Sequence, residues 1–305
     1  MNSDINRRKF LKQTGGLVVA GGAVELLLAA CGNVTTTPAS TPGATSIGSA
    51  GLMKPGTLQW GADYVSGAPY VFQDPSNPNN LVGFEVEIAV AMAALMGNIQ
   101  QKMIETCYGE LDQALAANKF DMVMNGWEIT ADRQKTQLFS DPYYRYGQQI
   151  VVRADDTRFA QYDANSTVTL SVLEGYKVGT GDGYKAATYL QADSKITTKL
   201  YTGDEPFDDV VQKKIDAAMV DVPIVSYYVS GAGPGATANP ALKLLGKPLY
   251  PDIYIVGFNK SNPDAAKLLP EINAAIAKLK QNGTLKQIYQ KWSLWNDQQA
   301  AIGIS

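Results

Sequence analysis

From residue 57 onward the apolar positions keep changing period. TLQWGADY (57–64) alternates as a half-buried strand does, and FEVEIAVAMAALMG (84–97) then sets Val86, Val90, Ala93 and Met96 at helical spacing. Gly97 is suited to end that helix. ELDQALAAN (110–118) predicts a second helix and DMVMN (121–125) a short apolar strand. The rhythm returns in YKVGT (176–180), in the helix-compatible KAATYLQA that follows, and in KIDAAMVD (214–221). Near the end, EINAAIAKLKQNG sets Ile272, Ile276 and Leu279 on one face ahead of Gly283, and Thr284 with Gln287 has the spacing of a capping box before LKQIYQKW. Strands alternating with helices predict an α/β fold with parallel, doubly wound sheets, here as two lobes closed by a helical tail.

The first fifty-five residues follow a different pattern. NRRKFLK (6–12) is basic, LVVAGGAVELLLAA is modestly apolar, and Cys31 follows small residues, which resembles a twin-arginine export signal joined to a lipobox. Leu28, Ala29, Ala30 and Cys31 match the lipobox position by position, whereas Asn6 departs from the Ser or Thr usual before the arginine pair. The alternative, a membrane-spanning helix, needs roughly 20 apolar residues, and this run is shorter and carries Gly21, Gly22 and Glu25. The resemblance implies a signal peptide over 1–30, lipid on Cys31, and an extracytoplasmic protein anchored to the outer face of the cell membrane. Residues 32–55, rich in Thr, Ser, Pro and Gly, read as a flexible spacer, so that 31–55 form a lipidated tether and the folded part begins near Gly56.

Composition narrows the chemistry. At 305 residues, 45% of them apolar, the chain is long enough for two domains with sizeable cores. It holds no histidine, which excludes Ser-His-Asp and Cys-His nucleophiles, a histidine base and histidine-ligated metals. Two cysteines, Cys31 and Cys107, are too few for a zinc cluster, and lipidation of the first would leave Cys107 unpaired, expected as a small buried hydrophobe. The first thirty residues carry a net charge of +2 (Arg7, Arg8, Lys9 and Lys12 against Asp4 and Glu25), so the remainder falls from −3 to −5, a poor match for nucleic acid. GTGDGYK (179–185) lacks both the G-K-[ST] ending and the G-x-G-x-x-G spacing of nucleotide cradles, and no cofactor is implied.

Four segments, GTLQWGADY, LVGFEVEIAVAMA, FDMVMNGWEITADRQKTQLFSDPYY and NGTLKQIYQKW, resemble in order and spacing the family-3 solute-binding proteins that feed amino-acid ABC importers, with coverage from about Gly56 to Trp292. The resemblance implies a type II periplasmic-binding fold: lobe 1 from 56–147 plus 250–305, lobe 2 from 148–249, and hinge crossings in GQQIVVR and GKPLYPDIYIVGF. It further implies a monomer that delivers its solute to importer membrane subunits by closing on it.

The same resemblance nominates a site. Arg133 would pair its planar guanidinium with a solute carboxylate, and Asp221, after an apolar strand, would accept from the α-ammonium. For Asp221 the alternative is a cap for the next helix, ahead of Pro223. Asp63 would reach the solute's side chain, Tyr108 would form an aromatic wall and Trp127 a second one, beside Asn125 and Gly126. Tyr184 and Lys185 would offer backbone amides, and FSDPYY reads as structural. Two departures bear on specificity: Glu128 stands where the family has Ser or Thr, and VSGAP (65–69) lacks an aromatic. Counting Asp63, Glu128 and Asp221 against Arg133 favours a polar or basic amino acid, unless Glu128 pairs with Lys185 or Arg133 or is protonated. The rival reading is a dehydratase-like enzyme on the same scaffold with Glu128 as general acid.

Overall fold

A computed structural model describes residues 50–203 and 205–305. The expected signal, Cys31 and all but the end of the spacer lie outside the described residues. The first stretch comprises β1 (Thr57–Ala62), β2 (Phe72–Asp74), β3 (Asn77–Val82), α1 (Phe84–Leu95), β4 (Gln100–Glu105), α2 (Leu111–Ala116), β5 (Met122–Val123), α3 (Arg133–Thr136) and β6 (Gln137–Phe139). The middle stretch holds β7 (Tyr144–Arg153), β8 (Lys177–Gly181), α4 (Lys185–Ala192), β9 (Thr197–Tyr201), α5 (Phe207–Val211), β10 (Ala217–Asp221), α6 (Val222–Tyr228) and β11 (Leu242–Tyr254). The chain then returns through β12 (Gly257–Asn259) to α7 (Ala265–Gln281) and α8 (Thr284–Lys291).

Two five-stranded sheets result, ordered β4-β1-β5-β12-β6 and β11-β7-β10-β8-β9, each flanked by helices to make one of two lobes. Parallel pairing joins β1 to β4 and β5, and β8 to β9 and β10. The strands that carry the chain between sheets run the other way: β12 is antiparallel to β5 and β6, and β7 to β10 and β11. The sheets are therefore mixed, because a chain that leaves a lobe and comes back must reverse direction. β7 and β11 pair from Tyr144 with Tyr254 to Arg153 with Leu242, with register shifts around Leu249. This ribbon lies where the sequence expected the crossings.

The first core packs Leu58, Trp60 and Met122 under α1 and α7, with Ile272, Ile276 and Leu279 all buried as their spacing predicts. A second core gathers Ile150, Val178, Leu190 and Met219. Other expectations need correction. On α1 Ala93 and Met96 are buried and Val86 half-buried as their spacing predicts, but Val90 is 51% exposed, and the buried face is completed by Phe84, Ile88 and Met92. That helix is apolar almost all round, so spacing alone could not choose between faces. α7 starts at Ala265, upstream of the predicted Glu271, and carries Pro270 inside it; the burial of Ala265 and Leu268 offsets the one helical bond a proline removes. No capping box forms at Thr284: Gly283, at φ 79°, takes the cap position and Asn282 Oδ1 accepts from the Thr284 N–H at 3.0 Å. Cys107 is a free thiol and exposed, not buried.

The corrected face of α1 makes a direct test. Ile88→Ala should lower unfolding free energy in urea by about 2–5 kcal/mol, and Val90→Ala by about 0.5 kcal/mol or less. The reverse order would restore the face that spacing suggested.

Candidate functional site

The local structure that builds the site starts at the end of β1. Asp63 leaves the sheet and closes its own turn: one carboxylate oxygen accepts from the Val65 N–H at 2.8 Å and the Ser66 N–H at 3.3 Å. The other accepts from the Ser66 hydroxyl at 3.0 Å and the Tyr108 N–H at 3.2 Å. Gly67 follows where no side chain fits, since a Cβ there would lie 2.0 Å from the Asp63 carbonyl oxygen and 2.4 Å from that of Val71. This close approach excludes an aromatic at position 67 itself.

After β5 the chain enters the loop Asn125–Glu128. Asn125 Oδ1 accepts from the Asp63 N–H at 2.8 Å, tying the ends of two strands together. Gly126 adopts φ 58°, and a Cβ would sit 2.9 Å from the Tyr70 ring. Its N–H donates to Glu85 Oε1 at 2.8 Å, and Tyr143 OH donates to the same oxygen. Sequence reasoning missed Glu85, because an acid in the first turn of a helix looks like a solvated partner of the helix dipole. It is instead fully buried, and burial pushes its carboxyl up to about 7 despite both donors.

Glu128 ends the loop with its side chain 2% exposed. Tyr146 OH donates to Oε1, and the Lys185 N–H, at the start of α4, donates to Oε2 at 3.2 Å. Asp221 arrives from the opposite lobe at the end of β10. It holds the backbone cap position of α6 without a capping bond from its side chain. That carboxylate instead accepts from Gln148 Nε2 at 2.7 Å and from Tyr254 OH. Tyr70 OH lies 2.7 Å from Tyr254 OH, and the Tyr146 ring stacks on that of Tyr254 at 4.1 Å. Burial raises both the Glu128 and Asp221 carboxyls well above the carboxylate range, and the Asp221 charge adds to the rise at Glu128.

These groups converge. Asp63, Tyr108, Asn125, Gly126, Glu128, Tyr184 and Asp221 line one cavity between the sheets, together with Ser66, Gly67, Tyr70 and Ile224, which the sequence did not nominate for it. Its volume of about 20 Å³ holds roughly one water. Tyr108 and Tyr184 meet edge to face across it at 5.2 Å. Asp63, Ser66, Tyr108 and Tyr184 also border a neighbouring chamber of about 120 Å³ that reaches Cys107 and Tyr201.

Three nominated residues stand back from the cavity. Trp127 is fully buried, its Nε1 donating to Gln137 Oε1 at 2.9 Å. Arg133 lies flat on that ring, 3.3 Å from its centre, with Nε 3.2 Å from both Asp112 oxygens and Nη1 3.1 Å from the Glu128 carbonyl oxygen. It borders an outer groove with Asp112, Thr130 and Asp132. Lys185 sends its ammonium to Asp252 on β11 and to the Ile129 carbonyl oxygen at 3.3 Å. Such a cavity can hold a compact cation against two acceptor carboxyls, with tyrosines around it.

The family model for bacterial extracellular solute-binding proteins, family 3, matches residues 61–294. ABC transporter arginine-binding protein 1 of Escherichia coli strain K12 is 24% identical over 225 residues, covering 72% of this chain and 85% of that one. Among solved structures, an ancestral arginine-binding protein bound to arginine has a TM-score of 0.65 at 28% identity, covering 78% of this chain and 98% of that one. The ancestral amino acid-binding protein AncCDT-1, a precursor of cyclohexadienyl dehydratase, has a TM-score of 0.66 at 27% identity, covering 79% and 96%.

Glu85 links the site to stability. Its folded pKa, raised from 4.5 to about 7, means the fold prefers the protonated acid. Its contribution is therefore fully present below about pH 4.5 and is lost as pH rises through about 7. Urea titrations from pH 5 to 8 should show Glu85→Gln losing less stability with rising pH than the parent, by an amount on the order of a few kcal/mol at the upper end. Parallel curves would mean that Glu85 is ionised throughout.

Proposed function

The chain belongs to family 3 of the bacterial extracellular solute-binding proteins, and from that premise we propose that it is a lipid-tethered receptor that captures a polar or basic amino acid for an ABC importer. The observation that carries this reading is the convergence of Asp221, Glu128, the Asn125–Gly126 loop and three tyrosines on one cavity between two lobes. Arginine-binding proteins among the similar chains support the same solute class. Lipid on Cys31, the twin-arginine signal, a monomeric state and the lobe limits given above belong to the proposal.

In this reading the solute's ammonium meets Asp221, which Gln148 and Tyr254 already hold in place. Its carboxylate meets Arg133, which exchanges Asp112 for it, and the amides at Tyr184 and Lys185. A cationic side chain runs past Tyr108 and Asp63 toward the chamber at Cys107. Two raised carboxyls in one cavity disfavour an acidic side chain and welcome a cationic one.

A dehydratase-like enzyme is the second reading, favoured by the raised carboxyl of Glu128 and by the likeness to a dehydratase precursor. A general acid there lacks an evident base partner, since Asp221 is engaged by Gln148 and Tyr254.

Isothermal titration of the chain from Gly56 onward should give saturable heat with arginine, and Asp221→Asn should weaken it by about a hundredfold or more, the loss expected when a buried charge partner is removed. No heat with any common amino acid would overturn the receptor reading. Turnover of a bound carboxylate, abolished by Glu128→Gln while binding survives, would move the assignment to the enzyme.

A further inference from the structure

We infer that Glu128 is an internal stand-in for a solute's acid group: its carboxylate occupies the helix-start amide and holds the two lobes together, so that a solute's own carboxylate gains that amide only by displacing it. This rests on the reading of the solute as an amino acid.

The bonds are reciprocal across the cleft. From the first lobe, Glu128 Oε2 accepts from the Lys185 N–H at 3.2 Å; from the second, Lys185 Nζ donates to the Ile129 carbonyl oxygen at 3.3 Å. The first amides of an eight-residue helix attract negative charge, and a buried carboxylate already satisfies one of them. The same residue closes off the guanidinium, since its carbonyl oxygen takes Arg133 Nη1 at 3.1 Å. Residue 128 thus engages two separate anion-seeking groups, one through its side chain and one through its main chain. The adjoining cavity, which Glu128 helps to line, is about 20 Å³ and too small for an amino acid.

Displacement has a charge consequence. A neutral amino acid brings one carboxylate and one ammonium, so the displaced Glu128 beside Asp221 must either take up a proton or stay charged without compensation. A solute with an additional cation gives that carboxylate a partner. Glu128 thereby selects for excess positive charge, where a serine would be indifferent to it.

The experiment uses arginine and its uncharged analogue citrulline, titrated against the parent, Glu128→Gln and Glu128→Ser proteins, with melting curves to verify folding. The parent should prefer arginine by about tenfold or more; in Glu128→Ser, citrulline should tighten by about tenfold and the preference fall to within about threefold. Glu128→Gln, which keeps the size and removes the charge, should fall between them and answers for Glu128→Ser should that variant fail to fold. An arginine-to-citrulline ratio unchanged by both substitutions would overturn the inference. Where neither compound binds any of the proteins, the solute is another one, and small-angle X-ray scattering without solute decides the inference. A larger radius of gyration in Glu128→Ser than in the parent supports the lobe-holding carboxylate, and identical radii overturn it.

Discussion

Two carboxyls, Glu128 from one lobe and Asp221 from the other, are buried against a single cavity, and the surrounding structure is arranged to tolerate them there. Isolated buried charges of one sign are expensive, and each oxygen that accepts a hydrogen bond lowers that expense. Glu128 has Tyr146 and the Lys185 amide; Asp221 has Gln148 and Tyr254. Burial still outweighs these donors, so both groups remain displaced toward the protonated form. In the proposed reading, a cation that enters would offset these buried carboxyls, which favours a cationic solute.

Three of these four donors, Tyr146, Gln148 and Tyr254, come from the strands that link the lobes. Tyr146 and Gln148 sit two apart on β7 and therefore share a face; Asp252, which pairs with Tyr146 in the ribbon, and Tyr254 do the same on β11. A bend in this ribbon would move the hydrogen-bond partners of both carboxyls together. Under the proposed reading, occupancy of the cavity and the angle between the lobes would be coupled through these bonds, as a receptor that reports occupancy by shape requires. The stack of Tyr254 on Tyr146 and Tyr144 stiffens the ribbon at the level of the cavity.

Much of this was legible in the sequence. The alternating periods gave the strands and helices of both lobes, and acids following apolar strands marked where those strands end at the cavity. What spacing could not convey was burial where an element is apolar on several sides or its partners lie far along the chain. Val90 and Ile88 are equally apolar, and only packing against α7 and α8 separates them. Glu85 reads as a first-turn acid, yet it holds the Gly126 loop from inside the core. Tyr70, which the sequence did not nominate, lines the cavity beside Gly126, close enough that a Cβ there would meet its ring. Cys107, beside an aromatic, looked buried and is exposed. Each miss concerns which side of a local element faces inward, a property decided by partners distant in sequence.

Arg133 shows how the two ends of the cleft differ. Its guanidinium is fixed in plane by Trp127 at 3.3 Å, but its charge is met by Asp112, whose side chain is 46% exposed. An exposed partner can be released to water at small cost. Asp221 has the opposite arrangement, with partners buried on both oxygens that cannot be rehydrated while the lobes are closed. Under the proposed reading, the cation end of the cleft would be a rigid acceptor, and the anion end would work by exchange, Asp112 and Glu128 yielding to an incoming acid. Rigidity where the ammonium is read, and exchange where the carboxylate enters, would let such a receptor discriminate by charge before it discriminates by shape.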